Sequence, residues 1–193
     1  IILPGAMAGV AGAVGFFRYG LHDYQRERIM TMFNPDADPL GAGYQILQSK
    51  IALGSGGFTG KGFMEGTQSQ LEYLPEKQTD FIFTILGEEF GFVGGLVVMS
   101  IYALVLANTI AIAISCKSTF LRLLSMGVAT TFALYVIINV GMVMGALPVV
   151  GVPLPLISYG GTVMMAVLAG FGLILGAHIH RNAEPPRGAG LFG

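Results

Sequence analysis

Charge is scarce in this chain. Of its 193 residues only 11% are Asp, Glu, Lys or Arg, against about 25% in an ordinary soluble domain. Lys plus Arg number 10 and Asp plus Glu 11, for a net charge of −1. There is no basic excess to neutralise a polyphosphate backbone, which excludes a nucleic-acid binder. Cysteine is nearly absent. The single Cys116 excludes a disulfide framework and a Cys-based zinc cluster within the chain. With 53% hydrophobic residues and a mean hydropathy of +0.71, neither a disordered chain nor a soluble globular domain fits. An integral membrane protein remains.

The charges are also unevenly placed. None occurs from Phe90 to Cys116, a run of 27 residues, or from Leu123 to His180, a run of 58. A bilayer core about 30 Å thick takes roughly 20 apolar residues to cross as a helix. The second run holds two spans, divided by Leu147-Pro148-Val149-Val150-Gly151-Val152-Pro153-Leu154-Pro155, whose three prolines cannot share one helix interior. Spans are expected over 81–115, 121–147 and 156–180, with an external Pro-rich loop at 148–155. Residues 1–17 are another uncharged run, expected to be the end of a further span. That run has no initiator Met and no basic region before it, so it does not read as a signal peptide. It reads as a chain cut inside a helix, with the expectation that this is the C-terminal part of a larger membrane protein.

Basic residues set the orientation. Lys117 and Arg122 lie between two spans, and Arg181 and Arg187 lie in the tail 181–193. Both are expected in the cytoplasm. Residues 18–80, with six basic and eight acidic residues, then lie outside. Among the 29 glycines, Gly5/Gly9, Gly141/Gly145 and Gly172/Gly176 form GxxxG pairs, expected to mark tight helix packing.

The external segment is long enough to expect function. Leu21, Tyr24, Arg28, Ile29, Met32 and Phe33 recur at helical spacing, as in a helix lying on a membrane surface. Asn34-Pro35 ends it. Asp38-Pro39 then reads as an N-cap with proline at the first helical position, opening a helix to about Leu53. Gly54 to Gly62 resembles a phosphate loop and fails at both ends. Ser55 stands where the first Gly belongs, and Gly62 replaces the Ser/Thr after Lys61. Two readings remain: a flexible turn, or an NH-rich loop whose lysine holds an anionic headgroup.

Asp80 stands where the external segment meets a span. It is either a simple helix cap with Thr79 or a catalytic or substrate-binding carboxylate. Glu88 and Glu89 follow, about 12–13 Å further along a straight helix at ~1.5 Å per residue. A charge inside a span requires a polar cavity or a partner. Asp80, Thr84 and Glu88 make a stripe that either lines a cavity or pairs with an unseen helix. Ser158 opens the last span, as a plain cap or as part of an anion site at a helix N-terminus. His178 and His180 read as interfacial residues, Cys116 as a plain thiol, and the ten methionines as gap-filling core.

Together these residues resemble the SEDS family (shape, elongation, division and sporulation proteins). The resemblance runs over residues 20–180. It is carried by Asp23-Tyr24-Gln25, Arg28-Ile29, Phe33-Asn34-Pro35, Asp38-Pro39, Gly43-Tyr44-Gln45 and Gln48-Ser49. Gly56-Gly57, Gly60-Lys61-Gly62 and Gly66-Thr67-Gln68 follow. The most specific stretches are Leu74-Pro75-Glu76, Thr79-Asp80-Phe81-Ile82-Phe83, Glu88-Glu89-Phe90-Gly91 and Leu154-Pro155-Leu156-Ile157-Ser158-Tyr159-Gly160-Gly161. Residues 66–72 are similar to the rod-shape elongation (RodA) branch.

The resemblance implies an all-α, polytopic transmembrane bundle, the last four of ten spans, with a long external loop containing short helices. It implies a peptidoglycan glycosyltransferase of the bacterial inner membrane that joins lipid II units, with inversion at the donor's anomeric carbon. The family's essential aspartate falls on Asp80. Gln78 stands where the family often has His, so that proton partner is missing here. The diphosphate leaving group calls for cationic stabilisation. Lys61 and Arg28, with backbone NH groups near Ser158, Gly160 and Gly161, are the candidates, and Gln48, Ser49 and Glu88 join them as substrate-binding candidates. No metal ligand set is assigned, and a divalent cation sharing the diphosphate is left open. The implied partner is a class B penicillin-binding protein, a transpeptidase. A lipid II flippase and a scaffold that recruits the transpeptidase are the alternative functions.

Overall fold

A computed structural model describes residues 20, 22–35, 38, 41–67 and 78–182. The expected span at 1–17, the Gly5/Gly9 pair, Leu74-Pro75-Glu76 and the end of the tail lie outside them. Among these residues every regular element is a helix: α1 (Asp23–Phe33), α2 (Ala42–Gly56), α3 (Ile82–Ser115), α4 (Thr119–Val143) and α5 (Gly161–Ile179). The last three are long and apolar enough to cross a membrane.

α1 forms where the spacing predicts. The His22 amide donates to Gln25 Oε1 at 3.1 Å at its start, and Asn34 closes it through a bond to the Met30 carbonyl. Its expected apolar face is only partly covered by the described residues, with Ile29 and Met32 half-buried. Tyr24, Met30 and Phe33 are exposed and Thr31 alone is buried, as suits a helix lying on an apolar medium. α2 corrects the expected cap. It starts after Gly41, and Asp38 serves instead through its carbonyl, which accepts from the Tyr44 amide at 3.2 Å. It runs on to Gly56, taking up residues expected in a flexible turn.

The spans are shorter than expected at the end of the bundle that carries Asp80. Gly145 adopts a left-handed conformation (φ 69°) just past Val143, and Leu156 does so at φ 66°. A right-handed helix cannot pass through either. So α4 stops early and α5 begins at Gly161. The stretch between them is partly sunk into the protein: Val149, Leu154, Pro155 and Ser158 are buried while Val150, Gly151 and Tyr159 stay exposed, and the Tyr102 hydroxyl of α3 donates to the Pro155 carbonyl at 2.6 Å. Tyr102, Phe132 and Phe171 stack edge-on in the core, joining α3, α4 and α5.

Of the glycine pairs, Gly145 lies beyond α4 but lets α2 come close, since a Cβ there would stand 2.3 Å from Lys50 Cε and 3.1 Å from Ile46 Cγ2; a side chain on Gly141 would strike Leu147, and Gly172 and Gly176 face open space among the described residues. The two ends of the bundle are nonetheless well defined. At one, the Lys117 amide donates to the Arg181 carbonyl at 2.9 Å, and at the other the Tyr159 amide donates to the Gln78 carbonyl at 2.9 Å.

α3 is broken. Gly91 takes φ 65°, ψ −160° inside it, a conformation open essentially to glycine alone. Unbroken, its 34 residues would extend about 51 Å, well beyond a hydrocarbon core of about 30 Å. Contacts with α4 show how the excess is used. The Asp80 carbonyl meets Asn139, and the Tyr102 ring meets Phe132 at 5.6 Å. Twenty-two residues of one strand of chain thus match seven of the other. The first arm, 82–90, therefore runs across the end of α4 rather than down it. Phe83, Gly87 and Gly91 of this region line a cavity together with Val140 and Met144 at the end of α4.

Candidate functional site

Asp80 sits in a turn immediately before α3 and is half-buried. Its position is fixed through its backbone. Asn139, fully buried on α4, donates from Nδ2 to the Asp80 carbonyl at 2.8 Å and to the Val152 carbonyl at 2.7 Å. Ser158 adds a second clamp. Its hydroxyl donates to the Thr79 carbonyl and accepts from the Leu154 amide. Ser158 thus braces Asp80's neighbour and is not the cap of α5, whose N-cap is Gly160. The carboxylate lies over Gly151, at left-handed φ 77°, where an added Cβ would stand 3.1 Å from Asp80 Oδ2. Glycine at 151 leaves that oxygen its room.

Arg28 reaches the same segment from α1. Its Nη1 donates to the Val149 carbonyl at 2.8 Å. The guanidinium and the carboxylate therefore flank residues 149–151, a rim carrying one cation and one anion two residues apart. Gly160 and Gly161 lie beyond Ser158 with open space where a Cβ would be. Gln48 is half-buried on α2.

Other expected site residues are turned to the protein's own structure. Ser49 is fully buried and donates to the Ile46 and Val143 carbonyls, each at 2.9 Å. It joins α2 to the end of α4 in place of the expected substrate contact, since a buried hydroxyl with two acceptors has no face for a ligand. Lys61 and Glu88 form a second cluster. Lys61 Nζ lies 2.7 Å from Glu88 Oε1 and donates to Thr67 Oγ1 at 2.8 Å. Thr67 donates to Glu88 Oε1 at 3.1 Å. Glu88 is 1% exposed, and burying that carboxylate requires such a partner. The backbone of the glycine-rich loop is also committed. The Gly60, Lys61 and Gly62 amides donate to the Gly56, Glu88 and Glu89 carbonyls. The Lys61 and Gly62 NH groups brace α3 and the Gly60 NH closes the end of α2, so these three are not offered to an anionic headgroup.

Among the described residues no group of three or more His, Cys, Asp or Glu side chains stands close enough to hold a metal ion. Reading the sequence missed Asn139 and Gly151. The signal for Asn139 was there, as a lone amide in a 58-residue run without charge that needs a hydrogen-bond partner once buried. Nothing marked Gly151 among so many glycines.

Known proteins are similar to this chain in sequence and in fold. Residues 1–183 match the model of the FtsW/RodA/SpoVE family, described as cell cycle proteins. The peptidoglycan glycosyltransferase MrdB of Escherichia coli K12 is 53% identical over 162 residues, covering 84% of this chain and 44% of that protein. The peptidoglycan glycosyltransferase RodA of Treponema pallidum is 43% identical, covering 80% of this chain and 36% of its own length. A chain solved in a peptidoglycan synthase complex that coordinates polymerization and crosslinking superposes with a TM-score of 0.70. It is 37% identical, and the match covers 95% of this chain and 50% of that one. This chain spans less than half the length of the two curated relatives. With a matched family over nearly its whole length, three apolar spans and no strand among the described residues, the chain belongs to the FtsW/RodA/SpoVE family of cell cycle proteins.

Proposed function

We propose that these residues serve a peptidoglycan glycosyltransferase of the bacterial inner membrane, which polymerises lipid II during cell elongation. The observation that carries the reading is Asp80, a half-buried carboxylate gripped through its backbone at one end of the bundle and packed over Gly151. In this reading Asp80 is the general base. It takes the proton of the acceptor sugar hydroxyl as that oxygen attacks the donor's anomeric carbon. Undecaprenyl diphosphate leaves from the opposite face, so the centre inverts. A base must come within about 3 Å of the hydroxyl it deprotonates. Fixing the main chain at Thr79 and Asp80 holds that geometry.

The leaving diphosphate carries the developing charge. Arg28, anchored through one nitrogen on Val149, keeps its remaining N–H groups for phosphate oxygens. The open ground around Gly160 and Gly161 lets a headgroup approach their backbone, and Gln48 lies among the candidate contacts. A divalent cation at the diphosphate would neutralise charge. The described residues furnish no ligand set for one, and no step is routed through it.

The end bearing Asp80 faces outward and the end bearing Lys117 and Arg181 faces the cytoplasm, following the bias of basic residues. A class B penicillin-binding protein is the partner in this reading. The 27- and 58-residue runs without charge speak against a flippase, which needs polar groups along the whole path.

The test is lipid II polymerisation by the purified full-length protein with its transpeptidase partner, crosslinking blocked and no other polymerase present. Glycan length is read on a gel. Wild type is expected to make polymer and Asp80→Asn none, with folding and partner binding intact. Undiminished polymer from Asp80→Asn would remove Asp80 from the chemistry; it would not leave it as a helix cap, since the N-cap of α3 is Phe81. No polymer from wild type would return the flippase and scaffold readings.

A further inference from the structure

The break in α3 is spliced by another part of the chain. In a continuous helix the Phe92 and Val93 amides would bond the Glu88 and Glu89 carbonyls, four residues back. The Gly91 conformation opens both bonds. The glycine-rich loop takes up all four freed groups. The Phe92 amide donates to the Gly57 carbonyl at 2.9 Å and the Val93 amide to the Phe58 carbonyl at 3.1 Å. The Lys61 and Gly62 amides donate to the Glu88 and Glu89 carbonyls, each at 3.1 Å. No side chain fits between the two backbones. A Cβ on Gly60 would come 2.0 Å from the Glu89 carbonyl oxygen, and one on Gly91 would come 2.3 Å from the Gly60 nitrogen. The cluster of Lys61, Glu88 and Thr67 lies directly on this splice and pins it with charge.

We infer that Lys61 and Glu88 are positioning residues. They hold the loop 57–62 in the break of α3, and the break sets the direction of the arm 82–90 that begins two residues after Asp80. Lys61 thus serves the carboxylate through the arm and does not touch the diphosphate. The inference rests on the proposed role of Asp80. Its logic is steric and electrostatic. If the loop withdraws, α3 can close the two bonds across Gly91, and the arm swings toward the axis of the span. Asp80, held at Asn139, then cannot keep both its anchor and its place at the head of the arm. Without Lys61, a buried Glu88 carboxylate loses its cation, which drives the loop out of the break.

The test uses the full-length protein with its transpeptidase partner, comparing wild type with Lys61→Met, Glu88→Gln and Gly60→Ala. Two quantities are read: steady-state polymerisation of lipid II, and hydrogen exchange of the amides at 57–66. Each variant is expected to lower kcat by roughly 10- to 100-fold, the size expected when a reacting group is displaced by about 1 Å. KM for lipid II stays unchanged, and the Lys61 and Gly62 amides exchange faster. A raised KM with kcat and exchange unchanged in Lys61→Met would overturn the inference, because Lys61 would then be touching substrate. So would full kcat from Gly60→Ala with a loosened loop, because the arm's direction would then not matter. Should these variants fail to fold, Thr67→Ala removes one hydroxyl from the cluster and is expected to shift both readouts the same way by less; no shift in either counts against the splice. If the wild type makes no polymer, the proposed activity has failed, and exchange alone decides the splice. Unchanged exchange in both Lys61→Met and Gly60→Ala would overturn it.

Discussion

Asn139 reaches from α4 to the Asp80 carbonyl at 2.8 Å and, with its other amide hydrogen, to the Val152 carbonyl at 2.7 Å. One buried side chain thus ties the head of α3 to the segment that carries Gly151. Replacing it with leucine keeps the volume and leaves two carbonyls without donors. A buried polar group left without its partner costs about 1–3 kcal/mol. Asn139→Leu is therefore expected to lower stability by about that amount, and to lower kcat with KM for lipid II unchanged. Thermal unfolding in detergent and steady-state kinetics check the two halves. A variant with wild-type kcat would show that Asp80 keeps its place without this anchor.

Gly151 faces the Asp80 carboxylate. Alanine there must adopt φ 77°, which costs on the order of 1 kcal/mol for a residue with a Cβ, and its methyl would press on Asp80 Oδ2. Gly151→Ala is expected to cut polymerisation at least tenfold with a smaller loss of stability. Val150→Ala, at an exposed neighbour, is the control and is expected to be near neutral. Equal activities of the two variants would remove the steric argument for Gly151.

Two glycines of α2 should respond in opposite directions. A Cβ on Gly56 would stand 2.0 Å from the Gly87 carbonyl oxygen, whereas one on Gly54 meets nothing. Gly56→Ala must push α2 off the arm of α3 and is expected to prevent normal folding or lower Tm steeply. Gly54→Ala replaces glycine inside a helix by the best helix former, which is expected to stabilise by up to about 1 kcal/mol. Matching Tm values for the two would mean that α2 does not pack on Gly87 in solution.

Much of this was legible in the sequence, because hydrophobic thickness and charge exclusion are strong constraints. The three spans appear where uncharged runs predict them, α1 ends at Asn34, and Asp80 falls at the head of a span. The break at Gly91 was not legible. Its cause is a backbone conformation, and the four groups it frees are satisfied by a loop some thirty residues earlier. Periodicity within one helix carries no trace of that. The same limit explains Lys61 and Glu88. Each alone reads as a charge that needs a ligand or partner, and only the folded chain shows that they are each other's. Ser49 and Ser158 belong with them, since a hydroxyl's acceptors are set by which carbonyls the fold brings near.

Arg28 differs from those residues in keeping part of its donor set. One nitrogen donates to the Val149 carbonyl at 2.8 Å, which fixes the guanidinium beside the rim and leaves other N–H groups to the outside. A guanidinium offers five donors in a planar fork, an ammonium three about a point. Arg28→Lys therefore keeps the charge but must give up either the Val149 anchor or the paired approach to phosphate. Arg28→Ala gives up both. If Arg28 binds the diphosphate before and during transfer, KM for lipid II is expected to rise about tenfold in Arg28→Ala, equivalent to ~1.4 kcal/mol of binding, and by less in Arg28→Lys. The rise should shrink as salt is added to the wild-type reference, because an exposed ion contact is screened over about 8–10 Å at ordinary ionic strength. A kcat loss at constant KM in both variants would instead assign Arg28 to holding residues 149–151 beneath Asp80, with the diphosphate stabilised elsewhere in the full-length protein.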